Sequence, residues 1–283
     1  MNIGTDKGAY RKGDAHMRVP VLPAGIGRLI QAINDEKMGY REIAKVIGES
    51  PSIALRILGL ANSAWSAPRE PISSLDMACG RLGMDVIRSV AMALAIAEVF
   101  NPAACPGFNP RTYWLSALLG AEAAAKLAED VTELSENQAR TAGLLRSIGL
   151  LWLADSQPDQ TDRAFASRQE QAADDLELLL KRHCGLGYLE AGGMVARYWH
   201  LPEDVVEAAF MQCRFLNAES AALSECVCKG ASIARQVLAV KEQDDLSGED
   251  EPLPEMDEYL HAAYLDILSR LDRLEELADE LCR

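Results

Sequence analysis

The residues that could do chemistry are few and scattered. Histidine occurs at 16, 183, 200 and 261, and cysteine at 79, 105, 184, 213, 226, 228 and 282. None of them sits in a ligand-spaced cluster: Cys226-Val-Cys228 is not a C-x-x-C, and no second pair completes a zinc site. The chain lacks a G-x-S-x-G elbow, a P-loop and a dinucleotide fingerprint, and no nucleophile–base–orienter set is visible. One polar pair stands inside a strongly apolar stretch, Arg146-Ser147 in LLRSIGL, residues 144–150. A guanidinium can fork onto an anion. The plainer reading is an internal ion pair or a solvated arginine.

The elements that must position this pair read as helices. Ala and Leu dominate the apolar residues, which favours helix over strand, and no alternating pattern of useful length occurs. An all-α chain of about twelve helices is expected. Pro23 starts the first, with Ile26, Leu29, Ile30 and Ile33 as its stripe. REIAKVIG is the second, and Pro51 opens the third. Ser73 or Ser74 caps the fourth, and Gly83 separates it from the long apolar MDVIRSVAMALAIAEVF. NPAACPGFNP is a connector. RTYWLSALLGAEAAAKLAEDV follows as a helix. SENQ has the form of a capping box, with Ser135 as cap and Gln138 reaching back, and the helix it starts is expected to contain LLRSIGL. Further helices are predicted at 162–183, in GLGYLEAGGMVARYW, from Pro202, and at 218–242. In the last, Leu260, Tyr264, Ile267, Leu271, Leu274, Ala278 and Leu281 step by four and three, a heptad seam. That seam serves either the chain's own core or a homodimer through 257–283.

The net charge is −15, and DDLSGEDEPLPEMDE, residues 244–258, holds eight acidic residues and no basic one. This run reads as a loop or linker. Nothing resembles the basic stripe that phosphate neutralisation needs, so direct nucleic-acid binding is not expected. The scattered cysteines, several in apolar helices, and the absence of a signal-peptide pattern predict a reduced, cytoplasmic protein. The longest apolar run, VAMALAIA, is too short for a membrane span.

Residues 58–83, LGLANSAWSAPREPISSLDMACGRLG, resemble the signature of the HDOD domain, the HD-related output domain of bacterial signalling proteins. Asn62, Ser63, Ser74, Leu75, Ala78, Leu82 and Gly83 carry the match. Leu22-Pro23, Pro51, and the pattern of Gly185, Gly192, Trp199, Leu201 and Pro202 extend it over about residues 19–240. The resemblance implies a two-lobed helical bundle: a tail at 1–18, an HDOD domain at 19–242 with an N-terminal lobe (19–109) and an HD-like lobe (110–242), an acidic linker at 243–256 and an amphipathic helix at 257–283. Taken from the residues alone, Asn62 and Ser63 suit a helix end, where Asn tolerates left-handed backbone and Ser bonds nearby amides.

The HD phosphohydrolases related to this family bind metal through a His, an adjacent His-Asp pair and a distant Asp. The matching positions here are Ser116, Arg146 with Ser147, and about Ala231, so the HD-like lobe is expected to lack the metal site. The chain departs from the HDOD pattern too. Ser50 stands where Asp often precedes the proline, Tyr188 where a His is common, and Gln212 and Cys213 where a His pair is frequent. The resemblance therefore implies a non-catalytic signalling module acting through a protein partner, as in the output domain of a two-component response regulator, with no cofactor. The alternative is a sensor of an anionic small molecule or nucleotide in the emptied HD pocket, with Arg146, Ser147, Ser116 and Tyr188 as contacts. A residual phosphohydrolase ranks last. The other motif positions, Asn62, Ser63, Ser74, Leu75, Leu82, Gly83, Trp199 and Pro202, are expected to be structural.

Overall fold

A computed structural model describes residues 9–10, 17–35, 37–63, 66, 68, 70–132, 134–170, 175–211, 218–244 and 258–282. Among the described residues the regular structure is helical apart from one short ladder. The N-terminal lobe holds α1 (Ala24–Asn34), α2 (Tyr40–Ile47), α3 (Pro51–Asn62), α4 (Leu75–Leu82) and α5 (Met84–Ala97). A 3-10 turn (Pro102–Ala104) leads to the second lobe: α6 (Pro110–Glu129), α7 (Glu136–Leu145), α8 (Ile148–Ser156), α9 (Pro158–Glu170), α10 (Leu176–Cys184), α11 (Tyr188–Tyr198), α12 (Glu203–Phe210) and α13 (Ala218–Asp244). Two helices close the chain, α14 (Glu258–Ser269) and α15 (Leu271–Cys282). Among the described residues no helix is long and apolar enough to cross a membrane.

α6 is the hub. Its face of Leu115, Leu118, Leu119 and several alanines is buried, and α7, α13, α14 and α15 all pack on it. α5 joins the lobes by packing on α1 in one and α7 in the other. The motif residues hold helix ends together. Asn62 spans from α3 to the loop ahead of α4: its Nδ2 donates to the Leu58 and Ile72 carbonyls, both at 2.8 Å, and its Oδ1 accepts from Ile72 N at 2.7 Å. Ser63 Oγ donates to Leu60 O. Ser74 caps α4 by accepting from Met77 N. Trp199 stacks on Phe100 with centroids 5.5 Å apart, and its Nε1 donates to Pro20 O at 2.9 Å, so it pins the start of the N-terminal lobe to the end of α11. Leu82 is buried, Leu75 packs against the core, and Pro202 precedes α12.

Several expectations are corrected. Within the tail, Ala9–Tyr10 (β1) pairs antiparallel with Met17–Arg18 (β2). The helices number fifteen among the described residues rather than about twelve, because three predicted helices are interrupted. LLRSIGL does not lie in one helix: α7 ends at Leu145, and Arg146-Ser147 form a tight turn in which Arg146 N bonds Gly143 O and Leu150 N bonds Ser147 O. The helix expected at 162–183 begins at Pro158 and divides into α9 and α10. The C-terminal helix divides at Arg270, whose N bonds three residues back to Ile267 O. SENQ forms half a capping box: Ser135 Oγ accepts from Gln138 N at 3.4 Å, but the Gln138 side chain donates to Asp204 at 2.9 Å instead of reaching back. From residue 245 the expected linker lies outside the described residues, as do Trp65, Gln212 and Cys213.

The heptad seam is spent inside the chain. Tyr264, Ile267, Leu274, Ala278 and Leu281 are buried, with α14 against α6 and α13 and α15 against α6 and α3. Ion pairs edge the seam: Glu275 meets Arg111 and Lys241, Asp279 meets Arg111 at 2.6 Å, and Glu122 meets Arg270 and Arg140.

Two positions carry backbone strain or relieve it. Gly83, between α4 and α5, has φ 84° and ψ 151°, a region open in practice only to glycine. His200 has φ 55° and ends α11 in a Schellman turn, with Leu201 N bonding Ala196 O and His200 N bonding Arg197 O. Gly83→Ala should destabilise the chain by about 1–3 kcal/mol, whereas His200→Gly, which relieves an exposed left-handed residue, should stabilise it by about 0.5–1 kcal/mol. Thermal or urea unfolding of the two variants beside the parent checks both signs.

Candidate functional site

The positions that match the HD metal ligands lie on α6, on the α7–α8 turn and on α13. Between these elements the backbones are nearly in contact. A β-carbon on Gly230 of α13 would sit 2.5 Å from the Gly120 carbonyl oxygen and 2.7 Å from Ala124 N of α6. One on Gly120 would lie 3.7 Å from Ala231 Cα. One on Gly143 of α7 would come within 2.6 Å of Ala121 Cα, and one on Gly149 of α8 would overlap the Tyr188 carbonyl of α11. Ser116 is half-buried on α6, one turn ahead of Gly120, and Ala231 sits at the α6–α13 contact itself.

Arg146 leaves the α7–α8 turn toward α12, where its Nη1 donates to Ala209 O at 2.8 Å. Its Nε is buried without a hydrogen-bond partner. Arg146 is electrostatically coupled to Tyr188 and Glu177, and Arg235 of α13 also acts on Tyr188. Burial pushes the Tyr188 phenol up, and the two guanidiniums partly oppose that. Of the four predicted contacts the structure thus groups Arg146 with Tyr188. Ser147 is half-buried in the turn and makes no cap hydrogen bond.

Sequence reasoning missed Glu177 and Arg235. Glu177 is half-buried on α10 and caps α11, accepting from Leu189 N at 3.1 Å. Gly187, the backbone cap residue of α11, has no side chain to do this, and a β-carbon there would collide with the Glu177 carboxylate. The only local signal was that missing cap; the partner comes from another helix. Burial raises the Glu177 pKa, while the Leu189 and Tyr188 amides pull it back without reversing the shift. The companion residue Glu170 has no described side chain.

A divalent metal requires several convergent oxygen or nitrogen donors. Ser116, Arg146, Ser147 and Ala231 offer two hydroxyls, a cation and a methyl group, a set that does not fit a metal. Among the described residues no group of three or more His, Cys, Asp or Glu side chains could hold one either. His183 Nε2 pairs with Ser167 Oγ at 3.2 Å, and His200 and His261 are exposed.

A second feature is open. A cleft of about 700 Å³ lies between α1 and α5 of the first lobe and α7 and α12 of the second. Ile33, Met38, Met84, Met92 and Val205 supply its apolar lining, and Asp85, Asn137, Gln138 and Asp204 its polar edge. Deep in it Ser89 and Thr141 share a hydrogen bond of 2.7 Å across the lobes.

The family model of the HDOD domain matches residues 19–214. The chain belongs to the HDOD family. Solved structures share the fold. An HDOD domain protein from Geobacter sulfurreducens is 19% identical, with TM-score 0.64, covering 93% of each chain. A candidate signal transduction protein from Marinobacter aquaeolei VT8 is 22% identical with TM-score 0.76, covering 94% of this chain. The match spans 60% of the Marinobacter protein's own length. A candidate phosphohydrolase from Shewanella amazonensis SB2B is also 22% identical, with TM-score 0.70, covering 93% of this chain and 94% of that one. No curated protein matches the chain.

Two outcomes follow for this HDOD domain. Gly149→Ala should cost about 3 kcal/mol, because the α8–α11 backbone contact has no room for a methyl group; chemical denaturation measures it. Glu177 has a raised folded pKa, so the folded state holds its proton more tightly than the unfolded one. Stability should therefore fall as pH rises from the ordinary carboxylate range through the folded pKa of Glu177. Glu177→Gln should flatten that limb of a stability–pH profile.

Proposed function

We propose that this HDOD protein is a non-catalytic module that relays a bacterial signal by binding a partner protein. The observation that carries the reading is the residue set at the HD ligand positions, Ser116, Arg146, Ser147 and Ala231, with Arg146 donating to a helix-end carbonyl. That set brings no carboxylate or imidazole to hold a metal that would activate a water. The Marinobacter relative's description as a candidate signal transduction protein, and its greater length, support a role as one domain of a larger signalling chain, such as the output domain of a two-component response regulator. A cytoplasmic setting accords with four buried, unpaired cysteines, at 79, 105, 184 and 226. α15 packs on α6 and α3, which supports a partner surface other than the seam of 257–283.

A second reading keeps one observation in its favour. The buried, unpartnered Arg146 Nε beside Tyr188 and Arg235 would suit an anionic small ligand that enters on opening of the α10–α12 region. One experiment separates the readings. Phosphatase and phosphodiesterase assays with Mn²⁺ or Mg²⁺ should show no turnover above blank, and EDTA-sensitive turnover would defeat both. Thermal shift with a nucleotide panel should show no stabilisation; a shift that disappears in Arg146→Ala would move the reading to the sensor.

A further inference from the structure

The interlobe cleft has a floor and a rim of different chemistry. Ile33, Met84, Met92 and Val205 make an apolar floor in which the methionines are the adaptable part, since unbranched thioethers fill irregular contacts. The rim is acidic. Asp85 and Asp204 stand exposed in the first turns of α5 and α12; Glu203, next to Asp204, and Glu136, between the lining residues Ser135 and Asn137 at the start of α7, are exposed as well. Helix N-termini favour such carboxylates, which explains their placement but leaves their outer faces to solvent. Among the described residues Arg88 is the one cation in the lining, and it is already engaged by the carbonyls of Ile33, Asp35 and Met38, where it closes the end of α1. Glu203 pairs with Arg197 at 3.9 Å and Asp204 accepts from Gln138, so the cleft presents an apolar trough with acidic edges in which Asp85 and Asp204 carry the exposed charge, on a chain of net charge −15.

We propose that this cleft docks a basic amphipathic segment of the partner protein, with its apolar residues on the methionine floor and its Lys or Arg side chains against Asp85 and Asp204. The proposal rests on the reading of the chain as a partner-binding module and names the surface. Charge complementarity selects the occupant: an acidic segment would be repelled by the rim, and a bare anion would find the only lining guanidinium occupied. The segment touches α5 from one lobe and α7 and α12 from the other, so its binding reports on, and sets, the relation between them.

The chain has nine methionines, so methyl-labelled methionine gives a resolved NMR reporter. A synthetic leucine–lysine peptide with helical amphipathic spacing is the probe, and its leucine–glutamate counterpart the control. The expected result is movement of the Met38, Met84 and Met92 methyl signals with the basic peptide alone, while Met77 on α4 and Met194 on α11 stay in place. Affinity should fall about tenfold in Asp85→Asn/Asp204→Asn and stay unchanged in Asp272→Asn/Glu276→Gln on the exposed face of α15. Asp85→Asn alone, which leaves the Gln138–Asp204 bond intact, should give a smaller loss in the same direction. Equal movement of Met77 and Met194, or equal loss in the α15 variant, overturns the proposal as general attraction to an acidic protein. Movement of the cleft methyls with adenosine or guanosine monophosphate but not with the peptide overturns it in favour of a small-molecule site. Static methyls in a chain without turnover sink the cleft alone, whereas metal-dependent turnover sinks the module reading whatever the methyls do.

Discussion

The backbone contact of α6 with α13 governs this structure. Gly120 and Gly230 face each other with no side chain between them, and Ala124 and Ala231 complete the contact. Close approach of this kind replaces long side chains by backbone and methyl contacts, which gain dispersion energy and lose little rotamer entropy. It also fixes what the rest can do. With α13 seated this near, α7 approaches the same helix at Ala121, and α14 and α15 lie along its remaining exposure.

Charge also works at the helix ends. Arg146 answers the carbonyl end of α12, Glu177 answers the amide end of α11, and Arg88 answers the carbonyl end of α1. Each is borrowed from a different element, so each cap is also a tertiary tie. Glu122 and Glu275 do the same for the C-terminal pair, with Arg140, Arg270, Arg111 and Lys241. For Glu275, burial acts to raise the pKa, but Lys241 and Arg111 outweigh it and the net direction is downward. Glu177 lacks so direct an ion pair and moves the other way. The same residue type at two helix docks thus favours opposite protonation states.

The helical class and most helix starts were legible because they depend on local chemistry: Pro23, Pro51 and Pro202 at N-termini, Ser74 and Ser135 as caps, Gly83 as a break. Asn62 stands at a helix end, and its partner ten residues on, Ile72, could not be inferred from spacing. The interruptions at Arg146 and Arg270 were not legible. Neither carries a Gly or Pro break, and at each the chain turns through an i to i−3 bond where apolar periodicity continues on both sides. The candidate site was half legible. Arg146 and Tyr188 were found as misfits in a family pattern, but Glu177 and Arg235 join them only through tertiary placement, and an acidic residue on an amphipathic helix looks solvated by default.

The α7–α8 turn ties its polar residues into the packing. Replacing Arg146 and Ser147 by a His-Asp pair would restore side chains on the α7–α8 turn, but it would strip the Ala209 carbonyl of its donor. The distant ligand would have to grow from Ala231, beside the α6–α13 contact whose close backbone spacing depends on Gly120 and Gly230. The cleft between α5 and α7 is under no such constraint: side chains and one hydroxyl pair, Ser89 with Thr141, span it, and a hydrogen bond of that kind contributes only about 1 kcal/mol net. Adjustable contact is thus concentrated where the lobes meet, and rigid contact where the metal would have been.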